Sequence, residues 1–103
     1  MKMTDSTVYL IVHGTVQGVG YRHFVRTVAR RHSIKGFVKN EEDGSVSIVA
    51  TGPDSQVEQF IDEIDVHFAA GPSVVNIEKV ADSSKRFPEE ERSKEYSEFL
   101  VVD

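Results

Sequence analysis

The sequence predicts an α+β domain in which two helices cover one face of a mainly antiparallel sheet of four or five strands. Three observations carry this prediction. Several short runs alternate apolar and polar side chains, two longer segments repeat apolar side chains at helical spacing, and Gly- or Pro-containing turns separate them. The elements follow in the order strand, helix, strand, strand, helix, strand, with one further strand at the end.

The first half of the chain contains the first strand and the first helix. In residues 8–13, the aliphatic side chains of Val8, Leu10 and Val12 alternate with those of Tyr9, Ile11 and His13, which is the period of a strand. A glycine-rich stretch covers 14–20, and apolar residues then recur at helical spacing from Tyr21 to His32. We expect the opposite helix face to be solvated except at Arg22, which lies beside the glycines. That face consists of Arg22, Arg26, Arg30 and Arg31.

The middle of the chain predicts a hairpin. Residues 34–40 form the second strand, and the third strand begins near Val46 and ends at Gly52-Pro53. Asp43-Gly44 is a strong hairpin signal between them. We expect the three acidic residues of this turn, Glu41, Glu42 and Asp43, to point into solvent.

The second helix and two more strands complete the prediction. Ser55 and Glu58 have capping-box spacing at the start of the helix, an apolar stripe extends to Phe68, and Gly71-Pro72 would end it. A fourth strand covers about 74–81 and a last strand 96–102. The polar residues 82–94 between them are expected to form a mobile connection.

Two helices on one face of such a sheet give a ferredoxin-like split βαβ sandwich. Right-handed crossovers would place the first and third strands side by side and parallel. We expect a single domain over residues 1–103, with 1–6 as a flexible tail.

Composition restricts the kind of protein. The 103 residues include no cysteine, which excludes disulfides and thiolate metal sites and favours a reducing cytoplasm. No stretch is apolar enough for a signal peptide or a membrane span, so we expect a cytoplasmic protein without a membrane partner. Residues 1–40 contain seven Lys or Arg and one Asp, whereas 41–103 contain five Lys or Arg and sixteen Asp or Glu. The basic part favours a small anion, and the acidic remainder argues against nucleic acid.

The glycine-rich stretch lies in this basic part. Glycine permits left-handed backbone, and a glycine turn that leads into a helix directs free N–H groups and the helix dipole at one point. Arg22 follows in the first turn, with a planar fork suited to phosphate oxygens. The spacing matches neither the P-loop nor the dinucleotide fingerprint. It indicates a phosphate-sized anion site or, alternatively, only a tight strand-to-helix turn.

Two segments together resemble the acylphosphatase family. Residues 12–22 (VHGTVQGVGYR) resemble its first signature. Residues 36–40 (GFVKN), followed by Gly44, Val46 and Gly52, resemble its second. The matching block covers 8–72, and the strand and helix order is also that of the family. One departure is Tyr21, where the family often has Phe; we expect its hydroxyl to reach solvent or a backbone group with little effect.

The resemblance implies a metal-independent hydrolase of acyl phosphates. Arg22 would hold the phosphoryl group and Asn40 would position the attacking water. Inorganic phosphate would be product and inhibitor, no cofactor is needed, and we expect a monomer. The backbone amides that would cradle the phosphate oxygens belong to Thr15, Val16, Gln17, Gly18, Val19 and Gly20.

The residues also make chemical sense without the resemblance. Phosphoryl transfer from a good leaving group needs mainly positioning and charge stabilisation, which a guanidinium and fixed amides supply. Asn is no base, but its carbonyl can orient water. We expect the substrate's own oxygens to take the proton.

Other functions stay open at this point. A non-catalytic module that binds phosphate and regulates a partner is the main alternative, because fold alone does not separate it from an enzyme. Lys35 to Val38 echo an RNA-binding strand but lack its aromatic residues. Structural or surface roles are expected for the four histidines, His13, His23, His32 and His67.

Overall fold

The computed structural model describes residues 5–81, 86–93 and 95–102. It confirms the α+β prediction, with both predicted helices, all five predicted strands and one further short helix. The elements are β1 (Asp5–Thr15), α1 (Tyr21–Arg31), β2 (Lys35–Asn40), β3 (Val46–Pro53), α2 (Asp54–Ile64), β4 (Ser73–Val80), α3 (Glu89–Ser93) and β5 (Phe99–Val102). Strand β1 includes the last two residues of the predicted 1–6 tail, and 1–4 lie outside the described residues.

The five strands form one sheet in the order β4-β1-β3-β2-β5. As predicted, β1 and β3 are neighbours, but the expectation that they are parallel is wrong, because they pair antiparallel. The tight turn makes β3 antiparallel to β2, and β3 is inserted between the two strands that α1 connects. Only β2 and β5 pair in parallel. The ferredoxin-like arrangement is therefore present with β5 added at one edge.

Both faces of the sheet are covered. The main core lies between the sheet and the helices α1 and α2. It contains Leu10, Val12, Val25 and Phe60, whose side chains are fully buried. The side chains of β1 that point the other way, Tyr9 and Ile11, belong to a second apolar cluster with Phe37, Val49 and Phe87. This explains why every position from 8 to 12 is buried although only one face carries long helices.

Helix α2 is shorter than predicted at its end and is not capped as predicted. Pro53 occupies the N-cap position, so Ser55 lies inside the helix, and none of the described side chains makes a capping hydrogen bond there. The helix ends at Ile64 rather than at Gly71-Pro72. Residues 65–72 instead turn back toward β4, where the Val74 amide donates to Val66 O at 2.8 Å. Phe68 is consequently half exposed at 51%.

The described part of the acidic connection after β4 contains a short helix and a buried aromatic residue. Residues 82–85 and 94 lie outside the described part, but α3 lies within it, and the preceding Phe87 is buried against the ring of Tyr9 at 5.4 Å between ring centroids. The Lys39 ammonium also binds the Glu91 carboxylate of α3 at 2.7 Å. The described part of this segment is therefore packed on the sheet, which its charged sequence did not predict.

No helix within the described ranges is long and apolar enough to cross a bilayer.

Candidate active site

The glycine-rich stretch connects β1 to α1 and contains the candidate anion-binding amides. Gly18 and Gly20 both have left-handed backbone, with φ of 74° and 79°. Gly20 is the N-cap of α1, and within this described segment no side chain caps the helix and no acidic residue lies in its first turn. The amide donors and positive dipole end of α1 are thus not matched by an acidic residue of the helix's own first turn, which suits a phosphate group.

The remaining predicted loop residues have different surroundings. Thr15 is still part of β1, where it pairs with Ser73 of β4. Val16 is 1% exposed in the core, and Val19 packs against that core from a partly buried position. These apolar contacts anchor the loop on both sides of Gly18.

The side chain of Gln17 joins the loop to the β2–β3 turn. Its Nε2 donates to the carbonyl oxygens of Glu41 at 2.7 Å and Ser45 at 2.8 Å. Two short hydrogen bonds to backbone acceptors fix the loop relative to the end of β2. The sequence predicts only a backbone role for Gln17, and no local signal indicates this side-chain contact, since its partners lie 24 and 28 residues away.

Arg22 extends from the first turn of α1 to the end of β5. Its Nη1 donates to Val102 O at 2.8 Å. Val102 is the strand partner of Lys39 in the parallel β2–β5 pair. The guanidinium is therefore held next to the last residues of β2, close to the start of its own helix.

Asn40 is the last residue of β2 and contains an unusual acceptor. Its Oδ1 is buried and has no hydrogen-bond partner among the described residues. A buried acceptor without a partner destabilises a fold by about 1–3 kcal/mol, and native proteins contain few of them. Such a carbonyl is suited to accept a hydrogen bond from a molecule that enters the site.

The three predicted components come together at Asn40. On one side, Lys39 pairs with Val102, whose carbonyl binds Arg22. On the other side, the Glu41 carbonyl binds Gln17 of the loop. The loop, the guanidinium and the Asn40 side chain thus lie at the same end of the sheet, where the partners of Gln17 and Arg22 flank the last residues of β2.

Of the carboxylates in the acidic turn, that of Glu41 is partly buried among protein groups, so the expectation that it points into solvent is wrong, whereas Asp43 is exposed as expected. The Glu41 carboxylate accepts from Ser47 Oγ at 2.6 Å and lies 3.6 Å from the Lys39 ammonium. Asp43 accepts from the Ser45 amide and hydroxyl, and these hydrogen bonds lower the pKa of its carboxyl. The lowered pKa means that neighbouring groups stabilise the Asp43 carboxylate as an anion.

Two further charged or polar groups next to the site are also satisfied. Partial burial alone would lower the pKa of Lys39, but the hydrogen bond and charge of Glu91, together with Glu41, outweigh it and raise that pKa. The Tyr21 hydroxyl donates to Ile64 O at 2.9 Å, and burial raises its pKa. The expectation that this hydroxyl reaches a backbone group is confirmed, and it satisfies a carbonyl at the end of α2.

Three of the histidines have side-chain partners. His13 lies 3.3 Å from Glu78, His67 lies 3.3 Å from Asp65, and the ring of His32 lies between Gln56 and Glu63. Across the described ranges, no three His, Asp or Glu side chains form a group that could hold a metal ion.

Comparison with known proteins relates this geometry to a family. The acylphosphatase family model matches residues 8–98. An acylphosphatase from Pasteurella multocida is 36% identical over 91 residues, which cover 88% of this chain and 91% of that protein. An acylphosphatase from Bacillus velezensis is 46% identical over 56 residues, but these cover only 54% of this chain and 62% of that relative. The crystal structure of acylphosphatase from Bacillus subtilis has a TM-score of 0.73 and 30% identity, covering 94% of this chain and 98% of that one.

Proposed function

The chain belongs to the acylphosphatase family, and from this premise we propose that it hydrolyses acyl phosphates to a carboxylate and inorganic phosphate. The observation that carries the proposal is the buried Asn40 Oδ1, which has no partner among the described residues and lies beside the strand end that Arg22 contacts. Phosphate oxygens are mainly acceptors, so a carbonyl acceptor adds little to an anion-binding site. Water is a donor and fits it.

In the proposed reaction, water held by Asn40 attacks phosphorus. The new bond joins the water oxygen to phosphorus. The bond between phosphorus and the carboxyl oxygen breaks, and its electron pair stays on that oxygen to give the carboxylate. One water proton stays on the attacking oxygen, and the other passes to a phosphoryl oxygen. The carboxylate is a good leaving group, so the enzyme mainly positions the reactants and stabilises charge.

In this scheme, Arg22 and the loop amides bind the phosphoryl group. The guanidinium supplies two parallel donors for phosphoryl oxygens, and the amides of residues 15–20 with the start of α1 surround the same group. Because these groups are fixed before substrate binds, little reorganisation is needed when charge moves to the equatorial oxygens. A metal ion is not required in this scheme, since a cation and several dipoles already neutralise the phosphate.

A phosphate-binding module without catalysis remains the second candidate. Arg22 and the loop would bind phosphate equally well in such a module, whereas the buried carbonyl of Asn40 would have no water to orient. We further propose that the protein is cytoplasmic, because a chain without cysteine is compatible with a reducing compartment. We also propose that it acts as a monomer.

The proposal is tested by hydrolysis of benzoyl phosphate with and without EDTA. We expect turnover that persists after chelation and dialysis, with competitive inhibition by inorganic phosphate. Loss of activity that Mg²⁺ or Zn²⁺ restores would contradict the metal-independent scheme. Tight phosphate binding without any hydrolysis would favour the binding module.

The acidic turn provides a test for a missed general base. We expect the triple variant Glu41→Gln, Glu42→Gln, Asp43→Asn to turn over benzoyl phosphate within about twofold of wild type, the range of ordinary surface changes. Its stability should fall slightly, because Glu41 loses its charged contact with Lys39 and Asp43 its charge beside Ser45. Activity is therefore compared at a temperature where both proteins are folded by circular dichroism. A loss of 10² or more would show that one carboxylate acts as a base.

A further inference from the structure

Three arginines form a stripe along one side of α1. Arg22, Arg26 and Arg30 are spaced by four residues, which places neighbouring side chains about 6 Å apart on one helix side. The two outer members have partners at opposite ends of β5. Arg22 donates to Val102 O, and Arg30 lies 3.7 Å from Glu98, which immediately precedes the strand. The stripe therefore follows the edge strand of the sheet, starting from the candidate active site.

Arg26, the middle member, is different. It is partly buried and has neither a hydrogen bond nor an ion pair in the described part of the chain. It also lies one turn from the positive charge of Arg22, and like charges at this spacing repel each other. A partly buried arginine beside another cation gains from an anion that joins the two charges. Glu98 is paired with Arg30 instead.

Resting on the proposed hydrolase function, we propose that Arg26 binds a second negatively charged group on the acyl part of the substrate. With the phosphoryl group at Arg22 and the loop, a carboxylate about one helical turn away would lie within reach of the Arg26 guanidinium. A four-carbon dicarboxylic acid joined to phosphate at one end has about this length. Arg26 would thereby give preference to acyl phosphates that carry a second anionic group.

The opposite face of the sheet offers a contrasting environment. A cavity of about 330 Å³ there is lined by apolar residues, including Phe37, Leu100 and Val102, together with Glu90 and Glu91. The Glu90 carboxylate would repel an anionic acyl group there, whereas the Glu91 carboxylate is paired with Lys39. A doubly charged substrate is thus favoured along the arginine stripe and disfavoured in the cavity.

The test compares succinyl phosphate with butyryl phosphate, which have the same chain length but differ by a terminal carboxylate. We expect wild type to have a kcat/KM about three- to tenfold higher for succinyl phosphate, the size of one partly exposed charge contact. Arg26→Gln should bring the ratio of the two substrates close to one, mainly through KM for succinyl phosphate. Added salt should reduce the wild-type ratio in the same direction.

Arg30→Gln is the matched control, because it removes the same charge from the same stripe one turn farther from Arg22. It should keep the wild-type ratio. Hydrolysis of butyryl phosphate within about twofold of wild type by both variants would show that fold and reaction are intact. An unchanged ratio in Arg26→Gln, or an equal change in Arg30→Gln, would overturn the assignment of Arg26 while leaving the hydrolase function in place. Failure of wild type to hydrolyse either substrate would instead overturn the proposed function, and the role of Arg26 with it.

Discussion

Arg22→Ala is expected to lower kcat/KM for benzoyl phosphate by roughly 10² to 10³, the loss typical of a missing donor to transition-state charge. The variant removes the guanidinium that donates to Val102 O, the strand partner of Lys39 near the end of β2. Inorganic phosphate, which resembles the phosphoryl group, should also bind much more weakly. Isothermal titration calorimetry and steady-state kinetics on the same preparation measure the two effects.

Arg22→Lys is the informative companion variant. Lysine keeps the positive charge but is a point donor without the planar fork, so it cannot bind Val102 O and two phosphoryl oxygens in the same geometry. We expect activity well below wild type and above Arg22→Ala. Since both variants lose the contact with β5, urea unfolding must show that each remains folded under assay conditions. Unchanged phosphate affinity in a folded Arg22→Ala variant would show that the anion binds elsewhere.

Asn40→Ala is expected to lower kcat by a factor of about 10² while phosphate affinity stays within a few-fold of wild type. The difference follows from the proposed mechanism, in which the Asn40 carbonyl contacts the attacking water and Arg22 and the amides hold ground-state phosphate. Single-turnover kinetics with benzoyl phosphate measure the chemical step, and phosphate inhibition constants measure binding.

The stability of this variant provides its own check. The Asn40 Oδ1 has no partner among the described residues, so its removal eliminates an unsatisfied buried acceptor rather than a native hydrogen bond. We therefore expect the free energy of unfolding to change by no more than about 1 kcal/mol. A parallel loss of phosphate affinity and kcat in a stable variant would make Asn40 a ligand-binding residue. That result would favour the binding module.

The fold and the candidate site differ in how far the sequence predicts them. Local signals were sufficient for the left-handed glycines before α1, the position of Arg22 in its first turn and the place of Asn40 at the end of β2. Each depends on residues within a few positions of one another, where backbone preference and hydrophobic period are informative.

The features that the sequence did not predict depend on contacts between distant residues. Apolar residues continue at helical spacing to Phe68, yet α2 ends at Ile64 because the following backbone bonds to the start of β4. The burial of Phe87 requires Tyr9, which is far away in the chain, as its neighbour. The antiparallel β1–β3 pair depends on the insertion of a whole hairpin strand, which no local pattern encodes.

The bond between Arg22 and Val102 joins residues 80 positions apart, which has a consequence for when the protein becomes active during its synthesis. Ribosomes add roughly 5–20 residues per second, so the arginine is made about 4–16 s before the strand that holds it. Until β5 has left the ribosome and paired with β2, a nascent chain contains the loop, the arginine and Asn40 without the contact that fixes the guanidinium. Release of phosphate from an acyl phosphate should therefore begin only with chains that extend past Val102. Nascent chains arrested before β5 should be inactive even when their first four strands have folded.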